Sequence, residues 1–483
     1  MPQRIVMAVA NPITADARVR KTARSVAALG YEVIVVWADA ALTEVVEEDF
    51  AGIRTIGLPA RYYLREQALA ERASRTQRRQ RRPARLIGYA NPDQRRTKAA
   101  ELAFRTAAAA GRLPFGLKLA QLVHRGRSKA LSARTDRLAR RTERRLAQPD
   151  GWRGRLPELM DLEGIFTPWL VQLEPDLIHI HDIYLTGAGL LAKRALARQG
   201  RQVKLIYDAH EYVAGCPGND PLDNRAYIAF EQAIAPRYDA VVTVSEPIAD
   251  AMARHLKLAQ RPVVVHNSPD PAMAQPSPNG TVRTAAGLTP DVPLLVYSGV
   301  IQPQRNVEAV VRALPALPGV RFAVVCVPNP AVPLARALLD LAGQLGVADR
   351  VHLLRPVPPE AVSSYLAGAD LGIDPMSQDF PQHAYCLPNK LWDYLRAGLP
   401  VVVANNESEA ALVRAEHFGV VFESDSPKQL AAAVTSVLAR RDEYGAAVRA
   451  SQLVEAYAWP RQMDRLAALY SRLVPLAAQD VTP

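Results

Sequence analysis

The feature that most restricts this chain is an alternation, met twice, between short β-branched runs and helix-length segments. From residue 4 to 38 it reads RIVMAVA, a polar turn NPITAD, a helix from about Ala15 to Leu29 closed by Gly30, and YEVIVVWA. From Gly164 it resumes: a helix through PWLVQLE, the strand DLIHIHD, a helix LTGAGLLAKRALARQG, the strand VKLIYDAHE, a helix RAYIAFEQAIAP, DAVVTVS, EPIADAMARHL and PVVVHNSPD. Each β-α-β unit demands a parallel sheet, with a ligand crevice beyond the carboxyl ends of the strands. Residues 268 to 292 are rich in Pro, Ser, Gly and Thr and read as a linker. A second alternation follows, PLLVYSG, VRFAVVCV, RVHLLRPV, DLGIDP, VVVAN and GVVF with helices between them, and two helices are expected to close the chain. The 483 residues are too many for one ordinary core, which agrees with two α/β domains. The expected fold is thus two Rossmann-like, doubly wound parallel-sheet domains, over residues 1–270 and 293–456, joined by 271–292 and followed by a closing helix at 457–475.

The most informative local stretch is HAYCLPNKLWDYLRAGLPVVVAN, residues 383 to 405. Pro388 and Asn389 lead into about two helical turns, which Gly398 and Pro400 stop before a buried strand. An abrupt helix start presents unpaired N–H groups and a partial positive charge, a place to hold a phosphate. Leu391, Tyr394 and Leu395 fall on one face as an anchor. Lys390 and Asp393, three apart, share another, either as a solvated pair or as the side that meets a ligand. The turn GVIQPQRN after the first strand of the second half offers Arg305 at another helix start, again for a phosphate or for solvent.

In the first half, polar residues recur just past strand ends: His181 and Asp182, Asp208, His210 and Glu211, Ser245, then His266 and Asn267. Such positions line the crevice of a parallel sheet. The first turn contains no Gly, which disfavours a nicotinamide or flavin cofactor. It carries Asp16, read as a helix cap, with Arg18, Arg20 and Lys21 as a solvated basic face or a ligand contact. His179 and His181 are taken to point to opposite sides of their strand, which tells against a metal, and His179 is taken as a core residue. Cys216, Cys326 and Cys386 show no paired spacing, so neither disulfides nor zinc are expected and the setting reads as reduced and cytoplasmic.

The net charge of +11 belongs to one segment. Arg61 to Arg155 holds 23 Arg and 3 Lys against 7 acidic residues, so this stretch carries +19 and the remainder −8. The segment, about 61 to 160, interrupts the alternation with sparse apolar residues, and reads either as a solvated helical insertion or as a device for an anionic membrane surface. No nucleic-acid motif is visible, which tells against a nucleic-acid partner. The N-terminus reads as a first strand and not as a secretory signal, and no apolar stretch is long enough to span a bilayer.

The order of DARVRKTARSVAALGYEV, DAHE, TVS, VVVHNSPD, VYSGVIQPQRNVEAVVRAL and LPNKLWDYLRAGLPVVV resembles the retaining GT-B glycosyltransferases of the family-4 type, over nearly the whole chain except residues 61 to 160. The resemblance implies a cleft between the two domains, with a nucleotide-sugar donor, UDP- or GDP-linked, on the second and an acceptor, a glycan or lipid-linked precursor, on the first. It implies a last helix crossing back to the first domain, which AWPRQMDRLAALY matches. It implies no metal and no cofactor beyond the nucleotide-sugar as co-substrate, because basic groups and helix starts neutralise the departing diphosphate. Carried over residue by residue, Gly299, Arg305, Pro388, Asn389 and Lys390 would bind the diphosphate, Asp393 the ribose, and His181 with Glu211 would orient hydroxyls beside Arg305 and Lys390 as the reacting groups; Asp16, Arg18, Asp182 and His210 would stand on the acceptor side. Two positions depart from the family pattern: Tyr385 stands where its first Glu is expected, and Val300 where an Arg commonly follows the glycine turn. Tyr385 is therefore expected to bear on the choice of sugar. A nucleotide-sugar epimerase of the same architecture and a non-catalytic protein binding anionic surfaces are the alternatives.

Overall fold

The computed structural model describes residues 3–80, 151–216, 220–423 and 426–476. The chain forms two compact units, one made of residues 1–60, 162–224 and 231–483, the other of 61–161 and 225–230.

The larger unit holds two sheets. The first contains β1 (Arg4–Val9), β2 (Glu32–Asp39), β3 (Val46–Phe50), β4 (Ile53–Pro59), β5 (Leu177–His181), β6 (Lys204–Ala209), β7 (Ala240–Thr243) and β8 (Val263–Val264), in the order β3-β4-β2-β1-β5-β6-β7-β8. Every pair is parallel except the β3–β4 hairpin, which the alternation did not announce. Ala51 and Gly52, with φ of 54° and 81°, make its tight turn, and Glu47, Glu48 and Asp49 keep the edge strand from further pairing. The second sheet, β9 (Leu294–Val300), β10 (Arg321–Val327), β11 (Val351–Leu354), β12 (Leu371–Asp374), β13 (Val401–Ala404) and β14 (Gly419–Phe422), is parallel throughout, in the order β11-β10-β9-β12-β13-β14. Strand order reverses beside β1 in one sheet and beside β9 in the other, so the crevices open at the carboxyl ends of β1 and β5 and of β9 and β12.

Six helices position the site: α1 (Ala17–Ala28), α2 (Glu246–His255), α3 (Pro381–Tyr385), α4 (Asn389–Arg396), α5 (Glu407–Glu416) and α6 (Trp459–Leu473). Along α6, Trp459, Met463, Leu466 and Tyr470 recur at helical spacing and are buried with Ile5, Met7 and Val35 in the core of the first sheet. Trp459 Nε1 donates to Ser25 Oγ at 2.9 Å, and Tyr31 Oη to the Val474 carbonyl at 3.1 Å. Among the described residues four helices follow β14 where two were expected, because the breaks at Arg440 and Ser451 carry neither Gly nor Pro. In the stretch read as a linker, Thr281 caps a one-turn helix, Val282–Ala285, whose Val282 is buried in the core of the second sheet.

In the smaller unit the carboxylate of Asp161 accepts from the N–H groups of Leu64 and Arg65, at 3.0 and 3.1 Å, at the start of the helix Tyr63–Gln80. Tyr227 Oη donates to Glu158 at 2.9 Å, and Trp152 packs on Phe230. Residues 81–150, most of the Arg-rich segment and of the membrane-surface expectation attached to it, lie outside the described residues. No helix among the described residues is long and apolar enough to cross a membrane.

Candidate active site

On the first sheet, register sets His181 beside Asp208 at the ends of β5 and β6. Arg18 reaches across from α1: its Nε and Nη2 meet the two Asp208 carboxylate oxygens at 2.9 and 2.8 Å, and its Nη1 donates to the Val265 carbonyl at 2.9 Å. Burial alone would raise the Asp208 carboxyl, but Arg18 and then His210 hold it well below the usual range. Arg18 is thus neither a solvated residue nor an acceptor contact. It is buried, and each of its three nitrogens is committed to an internal partner. Lys21, also read as solvated, is buried against Trp459, with its Nζ 2.8 Å from Asn267 Oδ1; burial and then Arg18 push its ammonium down to about 7. Arg20 pairs with Glu360 of the second domain at 3.1 Å.

His179 and His181 are two apart on a strand, so they share a face, and the expectation of opposite faces fails on the period of the strand. Their rings stack with centroids 4.3 Å apart and planes 22° from parallel. His179 Nδ1 lies 2.6 Å from Tyr470 Oη, and His181 Nδ1 3.2 Å from His210 Nε2. His179, His181 and Asp208 lie close enough together to suggest a metal. Arg18, however, donates to both Asp208 oxygens, and its fixed positive charge beside them opposes a cation there. With no exposed surface, His181 meets the crevice only through the half-buried His210.

His210 Nδ1 sits 3.4 Å from the Asp182 carboxylate. Burial works against charge on this imidazole, but Asp182 and Asp208 outweigh it and raise its pKa. Asp182 has φ 63° and ψ 163°, a conformation costing a non-Gly residue about 1–3 kcal/mol, and here it turns the strand end toward His210. Asp16 caps α1 through the Val19 N–H at 3.0 Å, as its place in the sequence implied. Glu211 stays open to solvent; partial burial and Asp182 push its carboxyl up, while His210 and Arg305 oppose the shift. Arg305 belongs to the second sheet, so the two walls face each other.

On that second wall, Gly299 closes β9 with φ 146°, a backbone that favours glycine. Asn306, left-handed at φ 51°, then turns the chain into the helix Val307–Ala313 and leaves Arg305 at the crevice, half-buried. Arg305 Nη1 touches Met376 Sδ at 2.7 Å, and among the described residues no carboxylate pairs with it. Val300 beside it is exposed. No side chain caps α4, whose first turn follows Pro388 and includes the exposed Asn389.

Lys390 turns inward: it is buried, its Nζ lies 3.1 Å from Asp374 Oδ1 and 4.9 Å above the Tyr297 ring, and although burial works against its charge, Asp374 and then Tyr297 raise its pKa. Asp393 takes another direction, 3.4 Å from Ser363 Oγ and within the field of Lys21. Burial lifts its carboxyl to about 7. The two residues expected to act side by side are therefore separated, because Lys390 turns to Asp374 and Asp393 to the Ser363 hydroxyl. Tyr385, half-buried at the end of α3, is tied to α5 by its carbonyl, which accepts from Ser408 Oγ at 3.0 Å. Sequence reasoning missed Asp374, which ends β12 and could have been found by the strand-end rule applied in the first half. It also missed Ser363 and Glu409, which carry no local signal.

The walls meet where α3 packs on the loop after β6. Tyr212 N–H donates to Gln382 Oε1 at 2.8 Å, and a Cβ on Gly215 would stand 2.9 Å from the Gln382 nitrogen and 2.4 Å from the Tyr212 ring. Gly215→Ala is expected to force this contact apart, costing about 1–3 kcal/mol of stability and raising KM several-fold. Steady-state kinetics with thermal unfolding check it, and wild-type values in both would mean that the contact does not matter.

The class defined here is a pair of parallel-sheet domains facing across a cleft, the GT-B architecture. Solved structures share it. Sucrose-phosphate synthase from Thermosynechococcus elongatus superposes with a TM-score of 0.65 at 16% identity, covering 98% of this chain and 99% of that one. HepE from Anabaena in complex with UDP and glucose gives 0.58 at 13% identity, over 97% and 100%. Residues 145–268 match the model of the glycosyl transferase 4-like domain and residues 292–440 that of glycosyl transferases group 1, together more than half of the chain. The chain belongs to the group 1 glycosyltransferase family. D-inositol 3-phosphate glycosyltransferase of Geodermatophilus obscurus is 28% identical over 310 residues, which span 61% of this chain and 66% of that protein. The enzyme of that name from Mycobacterium marinum is 27% identical over 312 residues, 62% of this chain and 64% of that one. The match thus spans just under two thirds of these relatives.

Proposed function

We propose that this protein transfers a sugar, with retention at the anomeric carbon, from a UDP- or GDP-linked donor to a hydroxyl of a glycan or lipid-linked acceptor. The observation that carries this reading is a guanidinium without a carboxylate partner among the described residues, Arg305, near an uncapped helix start and facing a wall of carboxylates and imidazoles. Arg305 and the first N–H groups of α4 stabilise the diphosphate as its charge develops, so no step requires a metal. Asp393 and Ser363 take the ribose hydroxyls. Across the cleft Asp182 and Glu211 accept from acceptor hydroxyls, while His210 holds the Asp182 carboxylate in place and His181 orients His210 from beneath. With the Asp16 carboxylate occupied at its cap and Asp182 and Glu211 assigned to the acceptor, the proposed course is a front-face reaction, in which the departing phosphate takes the acceptor's proton. Tyr385 borders the donor sugar. In support of a UDP-linked donor, HepE is described in complex with UDP-glucose. In support of a polyol acceptor, the curated relatives are named for D-inositol 3-phosphate.

Thermal shift with UDP- and GDP-sugars tests the reading, since a ligand that binds only the folded state raises Tm. One nucleotide class is expected to raise it, and no rise with either would overturn the proposal. Product formed without any acceptor would point to the epimerase alternative. A pH series adds a check on Asp393. Hydroxyl donors favour its ionised form, and its carboxyl titrates near 7, so nucleotide affinity should climb several-fold between pH 6 and 8. Asp393→Asn should lose that rise in isothermal calorimetry, whereas an unchanged rise would remove Asp393 from the ribose site.

A further inference from the structure

Beneath the start of α4 lies a group of buried polar atoms that the proposed reaction leaves unused. Glu409, on the first turn of α5, is fully buried, as are Asp374 and Asn406, with Ser377 nearly so. Both Glu409 oxygens, Asp374 Oδ2, Asn406 Oδ1 and Ser377 Oγ have no hydrogen-bond partner among the described residues. These residues are held together through Met376, whose N–H donates to Asp374 Oδ1 at 3.2 Å and whose carbonyl accepts from Asn406 Nδ2 at 3.1 Å. If Glu409 were ionised, four of these atoms would be pure acceptors and only the Ser377 hydroxyl could donate. Two carboxylates would also share the single Lys390 ammonium. A proton on Glu409 relieves both conflicts, supplying a donor for Asp374 Oδ2 and leaving Lys390 paired one to one.

We propose that Glu409 is a positioning residue: it stays a neutral carboxylic acid, donates to Asp374, and so fixes the Lys390 ammonium and preserves the positive potential that Arg305 offers a diphosphate. Its effect on the donor rests on the transfer reading above. The charge balance supports it. Facing Glu409 are Asp374 from β12, Lys390 from α4 and Cys386 just after α3, and around Lys390 stand Tyr297 from β9, Arg305 and His383 of α3. Burial and then Arg305 keep the His383 imidazole neutral, and burial pushes the Cys386 thiol up to about 12. One anion and two cations remain, a net positive corner that an ionised Glu409 would cancel. Burial and then Asp374 also drive the Glu409 carboxyl well above its ordinary range, against Lys390.

Glu409→Gln, permanently neutral and still a donor, is the decisive variant, with Glu409→Ala beside it. In thermal unfolding without ligand, a carboxyl raised by folding loses its stabilisation as pH rises, so Glu409→Gln should be at least as stable as wild type, with its lead widening from pH 5 to 9. A variant less stable than wild type, with the gap growing as pH rises, would show an ionised, paired Glu409 and overturn the proposal. Calorimetry at pH 7.5 with inorganic pyrophosphate, UDP and GDP should find Glu409→Gln within twofold of wild type and Glu409→Ala about tenfold weaker. Equal loss in both variants would also overturn it. If none of the three probes binds the wild type, the transfer reading fails, and the unfolding series still decides the state of Glu409.

Discussion

Arg305→Ala should lower kcat/KM by about 10²–10³, the usual effect of removing one preorganised group that stabilises charge in a transition state. The size of the effect follows from how the cations of the second wall are committed. Lys390 is 3.1 Å from Asp374 and its charge is largely spent within the protein. Among the described residues Arg305 has no ion-paired carboxylate and touches the Met376 thioether, so its field remains available to a ligand. Charge on the diphosphate grows as the sugar leaves, so kcat should fall further than KM rises. Arg305→Lys should recover part of the rate, since a point charge replaces the fork without its paired geometry. Steady-state kinetics with the donor found by thermal shift give the answer, and wild-type constants for Arg305→Ala would sink the assignment of the donor corner.

Arg18→Ala should be the most destabilising single substitution in the first domain, by about 3–5 kcal/mol, because it strands a buried carboxylate. Side chains of Arg18 and Asp208 are 2% and 1% exposed, so water cannot replace the lost partner. For a protein of this size that cost corresponds to a fall in Tm of roughly 3–5 °C. The pH dependence has a definite sign. Asp208 is held well below the ordinary carboxylate range, so the stability it gains is present above that range and lost as pH falls. The deficit of Arg18→Ala should therefore be full at pH 7 and shrink as pH falls below about 4. Adding Asp208→Asn should restore part of it, and a double-mutant cycle by urea unfolding measures the coupling. An Arg18→Ala variant within about 1 kcal/mol of wild type would show that the clamp does not hold the first domain.

Much of the fold was legible because it is written locally. Runs such as IVMAV and VVVA, separated by segments of helical length, leave little choice but parallel sheets. The β3–β4 hairpin escaped because VEEDF lacks an apolar face, and the extra closing helices because nothing punctuates them. In the site, Asp16 was readable as a cap, since its partner Val19 is three residues away. Arg18 and Lys21 were not, since they look like any basic residues on a surface helix.

The sequence by itself determined two parallel α/β sheets, the strand ends where polar residues gather, and the turn and helix start that bring Arg305, Pro388 and Lys390 to one crevice. Only the tertiary structure decided which of the charged residues face that crevice. Arg18 finds Asp208 across 190 positions and Val265 across 247, and Lys390 finds Asp374 on a neighbouring strand, whereas no acidic partner comes within reach of Arg305 among the described residues. A charge is silenced or left available by its partner and by how far water is excluded around it. Both are set by contacts between distant segments, which composition, spacing and period do not encode.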